Sequence, residues 1–178
     1  MKTFLEVFPD LHIAENVRGL LEMVGIEKIS TNRDRSVIRV YIDSPRLMHK
    51  QSIYDLEKGI KEQLFPGKRV KIKILEKYHL SSQYTPEKLM NVYWDSILME
   101  LKNYSILLYN MFRKAEMDFE EEGYLKLSLE DTMIVRDKAP ELVRILEKIF
   151  TERCNVPMVV KTSYRPVEKK NTEPEIIY

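Results

Sequence analysis

Apolar and polar residues alternate along Tyr124-Leu125-Lys126-Leu127-Ser128-Leu129, which puts three leucines on one face of a predicted strand. A linker holding Asp137 and Pro140 is expected next, and then Leu142, Ile145, Leu146, Ile149 and Phe150 recur at helical spacing. A second alternating run spans residues 158–164. Residues 124–164 therefore read as strand, helix and strand, a crossover unit of the kind that packs its helix on one face of a sheet. The same order stands earlier in the chain. Val37-Ile38-Arg39-Val40-Tyr41-Ile42 is a strand, Ile53, Leu56, Ile60 and Leu64 mark a helix, and Val70, Ile72 and Ile74 mark a second strand whose other face carries Lys71 and Lys73.

The two sets keep step. Val37 and Tyr124 are 87 residues apart, and Leu56 and Ile145 are 89 apart. Each set is also preceded by an apolar helical stretch and a short strand, near residues 17–24 with 27–30, and near 107–115 with 116–119. The chain is read as two copies of helix, strand, strand, helix, strand, each a small domain rather than a short solenoid repeat. The competing reading is a chance alignment of common elements. The predicted fold class is α+β, with two αββαβ domains, each a three-stranded sheet with helices on one face. The domains span residues 1–80 and 81–165, the second with an extra leading helix. Residues 166–178, rich in Lys, Glu, Asn and Pro, are expected to be a disordered tail or linker.

Local signals fill in the rest. Residues 1–13 should form an apolar arm interrupted by Pro9. A helix is expected over residues 14–24 with Gly25 as its C-terminal cap. Asn32-Arg33-Asp34-Arg35 and Glu120-Glu121-Glu122-Gly123 are hairpin turns. Residues 79–84 link the halves, Thr85 caps a helix with Pro86 in its first turn, and Ser105 caps the next.

Composition narrows the function classes. The 178 residues carry 44% hydrophobic and 32% charged side chains, ordinary values for a soluble globular chain. A net charge of +1 argues against a general nucleic-acid binder. Residues 1–84 hold 15 Lys and Arg against 11 Asp and Glu, whereas residues 85–165 hold 12 against 14, a mild asymmetry. One cysteine, Cys154, forbids an internal disulfide and fits a reducing, cytoplasmic setting. No apolar run is long enough to span a membrane.

Chemistry-bearing patterns are scarce. His12, His49 and His79 lie far apart with no HxxxH or CxxC spacing, so they read as solvent or linker histidines and no metal is expected. Cys154 reads as packing rather than reactive. Glu120 to Glu122 fit a solvated turn, and Glu130-Asp131 a strand end. There is no Walker A loop, GxGxxG or GxSxG, so no catalytic residue is assigned. Gln63-Leu64-Phe65 is weakly similar to a sliding-clamp pentapeptide but reads as core at a helix end. Arg39, Lys68, Arg69, Lys71 and Lys73, with Tyr41 and Tyr78 nearby, could form a basic sheet face holding single-stranded nucleic acid. The reading preferred from sequence is a solvated outer face.

The αββαβ order resembles a truncated KH domain, but the five glycines form no GxxG, the loop with which KH modules grip a nucleic-acid backbone. A more specific likeness lies in the wording. Gln83-Tyr84-Thr85-Pro86-Glu87-Lys88-Leu89, followed by Asp95-Ser96-Ile97-Leu98-Met99-Glu100-Leu101-Lys102, resembles the start of PolC-type DNA polymerase III alpha subunits. So does Leu127-Ser128-Leu129-Glu130-Asp131-Thr132 leading through Lys138-Ala139 to Leu146-Glu147-Lys148-Ile149-Phe150. The likeness runs from about residue 4 to 164. The second half is also similar to the C-terminal domain of the clamp-loader subunit tau, a KH-like fold without the GxxG loop.

The resemblance implies the non-catalytic N-terminal region of a replicative polymerase. That family's catalytic aspartates, exonuclease residues and clamp motif lie outside these 178 residues, and its Mg²⁺ belongs to the parent enzyme, so no cofactor is expected here. Implied partners are replisome proteins, namely tau, the helicase or its loader, with DNA secondary and no membrane. Tyr93, Trp94 and Tyr104 are the candidate partner-binding aromatics, since aromatics are enriched at interface centres. Trp94, off the apolar stripe of its helix, could instead be core between the halves.

Overall fold

The computed structural model describes residues 1–168; the predicted tail lies largely outside the described residues. Two small sheets and their helices follow each other along the chain. The first sheet has four strands in the order β1-β2-β3-β4: β1 Lys2–Thr3, β2 Gly25–Thr31, β3 Val37–Ser44 and β4 Lys71–Tyr78. The expected apolar arm is itself part of it, because β1 pairs antiparallel with β2 through Thr3 and Gly25. That fourth strand was not foreseen, being only two residues long. Thr3 then caps the short helix α1 (Phe4–Val7) in a reciprocal box, its hydroxyl accepting from the Glu6 N–H while the Glu6 carboxylate accepts from the Thr3 N–H. This pins Phe4, which is fully buried, against Val24.

Gly25 is not a helix cap. Helix α2 (Glu15–Leu21) ends sooner than its pattern suggested, and Gly25 opens β2, where an added Cβ would come within 2.3 Å of the Met1 sulfur. The predicted turn does join β2 to β3. The Asn32 side chain accepts from the Val37 N–H at 3.0 Å and Arg35 takes a left-handed conformation, φ 57°. Helix α3 (Lys50–Leu64) carries the chain across to β4, which pairs parallel with β3. Ile53, Leu56 and Ile60 are buried as their spacing predicts, but Leu64 is exposed and Phe65 packs on the core in its place.

In the second half the predicted caps hold. Thr85 accepts from Lys88 at the start of α4 (Pro86–Tyr104), and Ser105 accepts from Leu108 at the start of α5 (Ile106–Lys114). A hairpin joins β5 (Glu116–Asp118) to β6 (Tyr124–Glu130) through Gly123, whose φ of 78° suits a residue without Cβ. The leucines of β6 are fully buried. The expected linker around Asp137 and Pro140 is instead helix. Thr132 caps α6 (Met133–Glu147), and Val135, Ala139, Leu142 and Leu146 form one buried stripe straight through the proline. A π-helical turn, Lys148–Arg153, leads to β7 (Val159–Arg165), which pairs parallel with β6.

The second sheet, β5-β6-β7, thus repeats the pairing of β2, β3 and β4: an antiparallel hairpin, then a parallel crossover through a helix. The two halves share one more device. On the outer edge of β4, the Ile74 N–H donates to the Glu57 carboxylate of α3 at 3.2 Å; on the outer edge of β7, the Val160 N–H donates to Glu147 of α6 at 3.0 Å. In both, the crossover helix covers part of an edge that would otherwise invite another strand. The buried apolar side chains of the two halves fall into one cluster. Among the described residues no helix is long and apolar enough to cross a membrane.

Burial raises the Glu57 carboxyl above its ordinary value, only partly opposed by the Ile74 N–H and Lys50. A neutral acceptor should therefore serve that edge at least as well. Glu57→Gln should leave stability in urea unchanged or raised, whereas Glu57→Ala should cost about 1 kcal/mol.

Candidate functional site

Strand alternation builds the most distinctive surface. In β4, Ile72, Ile74, Glu76 and Tyr78 point inward, leaving Lys71, Lys73, Leu75 and Lys77 on the outer face. Parallel pairing sets Val37, Arg39, Tyr41 and Asp43 of β3 beside them, with Arg39 directly opposite Lys73. Antiparallel pairing adds Ser30 and Lys28 of β2 next to Arg39 and Tyr41. Strand spacing of about 4.8 Å and a two-residue repeat of roughly 6.6 Å turn these side chains into a lattice of cations. Lys28, Arg39, Lys71, Lys73 and Lys77 share the face with one acid in register, Asp43, which His79 already engages at 2.6 Å; Glu27 sits at the adjoining bulge. Of the predicted basic residues, Arg39, Lys71 and Lys73 are brought together, while Lys68 and Arg69 are exposed in the approach to β4. The aromatic part of the expectation is halved. Tyr78 is fully buried, and Tyr41 has the Lys28 ammonium 4.5 Å from its ring centroid.

The corresponding face of the second sheet is balanced. Glu116 and Asp118 of β5 and Glu130 of β6 match Lys126 of β6 and Lys161 and Arg165 of β7 in number, with Lys161 opposite Lys126 and 3.9 Å from the centroid of Tyr124. The two halves share a topology and differ in surface charge.

A second constellation, not anticipated from the sequence, lies between the halves. Lys50 at the start of α3 donates to both oxygens of Glu76 in β4, at 2.9 and 3.1 Å, and lies 3.8 Å from Glu100 of α4. Arg153, at the end of the π-helical turn, grips Glu100 with two parallel hydrogen bonds of 2.6 and 2.7 Å and approaches Glu76 at 4.0 Å. Arg153 also donates to the Tyr93 hydroxyl at 3.3 Å, and the Lys50 N–H donates to Ser96 at 3.0 Å. Two cations meet two anions, and no buried side-chain nitrogen or oxygen among the described residues lacks a partner. Burial pushes the Glu100 carboxyl up, but the hydrogen bonds and charge of Arg153, with Lys50, outweigh it and hold the group below its ordinary range. Burial likewise works against the Arg153 charge and is overcome by Glu100 and Glu76. The legible signal was Glu76 itself, the one charge on the inward face of β4.

Tyr93 is 1% exposed, its ring edge-on to Tyr78 at 6.4 Å, and this withdraws it from any outer docking surface. Trp94 is half-buried on Phe112 of α5 at 4.7 Å, so it packs within the second half rather than between the halves. Tyr104 is exposed and donates to Glu141 at 2.6 Å. The three aromatics do not form one patch. His49 caps α3, His79 pairs with Asp43, and Gln63 clamps the backbone of His12 from both sides, at 2.8 and 3.1 Å. A shallow cleft of about 570 Å³ runs between the loop holding Leu47 and His49 and helix α4 at Val92 and Ser96. Among the described residues no three His, Cys, Asp or Glu side chains gather as a metal site.

Residues 3–74 match the family described as DNA polymerase III polC-type N-terminus I. The PolC resemblance is thus supported over residues 3–74, which hold Arg39, Lys68, Arg69, Lys71 and Lys73, while the strings in which it was read, at 83–102 and 127–150, lie outside the match. No curated protein matches the chain.

Two outcomes follow from the buried charges. Arg153→Met should cost about 3 kcal/mol or more in urea unfolding, because Glu100 loses both hydrogen bonds of its ion pair and keeps only Lys50 at 3.8 Å. The Glu100 carboxyl is depressed in the folded state, so its contribution is present above the ordinary value of 4.5 and is lost as pH falls through the folded value. The stability gap between the parent chain and Glu100→Gln should be widest near neutrality and close progressively below 4.5. A third concerns Cys154, fully buried and pushed up to about 12 by burial, which outweighs the nearby Arg153 charge. Iodoacetamide at mildly alkaline pH should label it only after the chain is unfolded.

Proposed function

We propose that this chain is a non-catalytic docking module of a PolC-type replicative DNA polymerase III alpha subunit, acting in the cytoplasm during DNA replication. Two KH-like domains, the second akin to the C-terminal domain of tau, hold surfaces that contact another replisome protein: tau, the helicase or its loader. The family match over residues 3–74 supports the polymerase assignment. The observation that carries the docking role is the difference between the two sheet faces. One scaffold is used twice, and only the first copy presents an outer face dominated by cations, Arg39, Lys71, Lys73, Lys77 and Lys28. Charges laid out on a rigid sheet steer encounter and fix register with a partner.

The reaction itself belongs to other parts of the parent polymerase, together with its Mg²⁺, and this segment binds no cofactor. Single-stranded DNA is the second reading, favoured by the same cations and by Tyr41, and weakened by the burial of Tyr78. The immobilised chain, its fold verified by circular dichroism, should retain one of the three purified candidate proteins at about physiological ionic strength. If a folded chain retains none of them, the docking role is wrong.

A further inference from the structure

Resting on that docking role, we infer that the outer face of the first sheet is the docking surface and that its occupant is an extended acidic segment of a partner protein. The register supplies the argument. Arg39 and Lys73 stand opposite each other, with Lys71 one repeat away along β4 and Lys77 two repeats away on the other side. Between them, Tyr41 faces Leu75, a half-buried apolar pair in the middle of the cation lattice. A strand-like segment presents every second side chain to one surface at roughly 6.6 Å intervals. Carboxylates at alternate positions therefore meet Lys71 and the Arg39–Lys73 pair, and an apolar residue at the next such position sits over Leu75, beside the Tyr41 ring that Lys28 covers. The guanidinium of Arg39 can take a carboxylate through two parallel bonds, and the lysines act as point charges.

Nucleic acid fits the same face less well. Sequence-tolerant grip on single strands combines cations with open aromatic platforms. Here the one outward aromatic in the lattice already has an ammonium over its ring, and Tyr78 is inside the core. The second half adds no field that would extend a phosphate track, since the outer face of its sheet is balanced in sign.

The test uses the full chain and two labelled probes, a twelve-residue peptide alternating glutamate with serine and leucine, and an oligothymidylate of similar charge. Fluorescence anisotropy is read at about 50 and 200 mM salt. Lys71→Glu/Lys73→Glu, both solvated on the outer face, should weaken the peptide at least about tenfold. Lys126→Glu/Lys148→Glu, an equal change of charge elsewhere, should leave it unaltered. Tighter binding of the oligothymidylate than of the peptide overturns the inference, as does equal loss in the two double variants or no peptide binding by the folded parent. Retention of a replisome protein undiminished by Lys71→Glu/Lys73→Glu overturns it as well, while leaving the docking role in place.

Discussion

Four charges taken from four elements have to meet for this chain to be folded as it is. Lys50, Glu76, Glu100 and Arg153 come from α3, β4, α4 and the π-helical turn; each half supplies one hydrogen-bonded pair, and the two pairs meet through Lys50–Glu100 at 3.8 Å and Arg153–Glu76 at 4.0 Å. Glu76 is almost wholly enclosed; an unpaired carboxylate there would cost several kcal/mol. Such a set adds little net stability over an apolar equivalent, but it is intolerant of a missing partner. Its effect is therefore one of selection among packings. The hydrophobic cluster that runs through both halves would accept many relative placements of the two sheets. The charges accept the one in which the fork of Arg153 lies on Glu100 beside Lys50.

Much of the architecture was legible from periodicity because the two sheets bury one face each. Where a strand is half-buried, alternation reports its register directly, and β3, β4 and β6 were all read in this way. The misses have separate causes. β1 is two residues long and owes its existence to pairing with Gly25, which no local pattern records. The proline in α6 outweighed the buried spacing of Val135 and Ala139, although a helix can accept proline where the stripe on either side is packed. Leu64 obeyed helical spacing, but the helix ends there and the chain turned Phe65 to the core.

The candidate surface was read in part and for an incomplete reason. Alternation was enough to place Lys71 and Lys73 outward, and pairing of β3 with β4 was needed to bring Arg39 opposite Lys73. Lys77 stands on the same alternation of β4 and was passed over, whereas Lys28 is placed only by the pairing of β2 with β3 beyond the bulge. The aromatics fared worst. Their sequence neighbourhood says nothing about which side of α4 is enclosed, and Tyr93 proved to be inside while Trp94 lay along α5. The two halves share a strand pairing, and their outer faces separate them more clearly than the framework does.

The π-helical turn before β7 has a consequence of its own. Six residues, Lys148–Arg153, are wound wider than the helix they continue, and at their end stands the guanidinium that grips Glu100 and comes within 4.0 Å of Glu76 in the first half. Adding or removing a single residue in that stretch would swing Arg153 through roughly a quarter of a turn and carry it off Glu100. What is pinned there is the count of residues more than their identity. This short interval should therefore accept exchanges of side chain far more readily than any change of length.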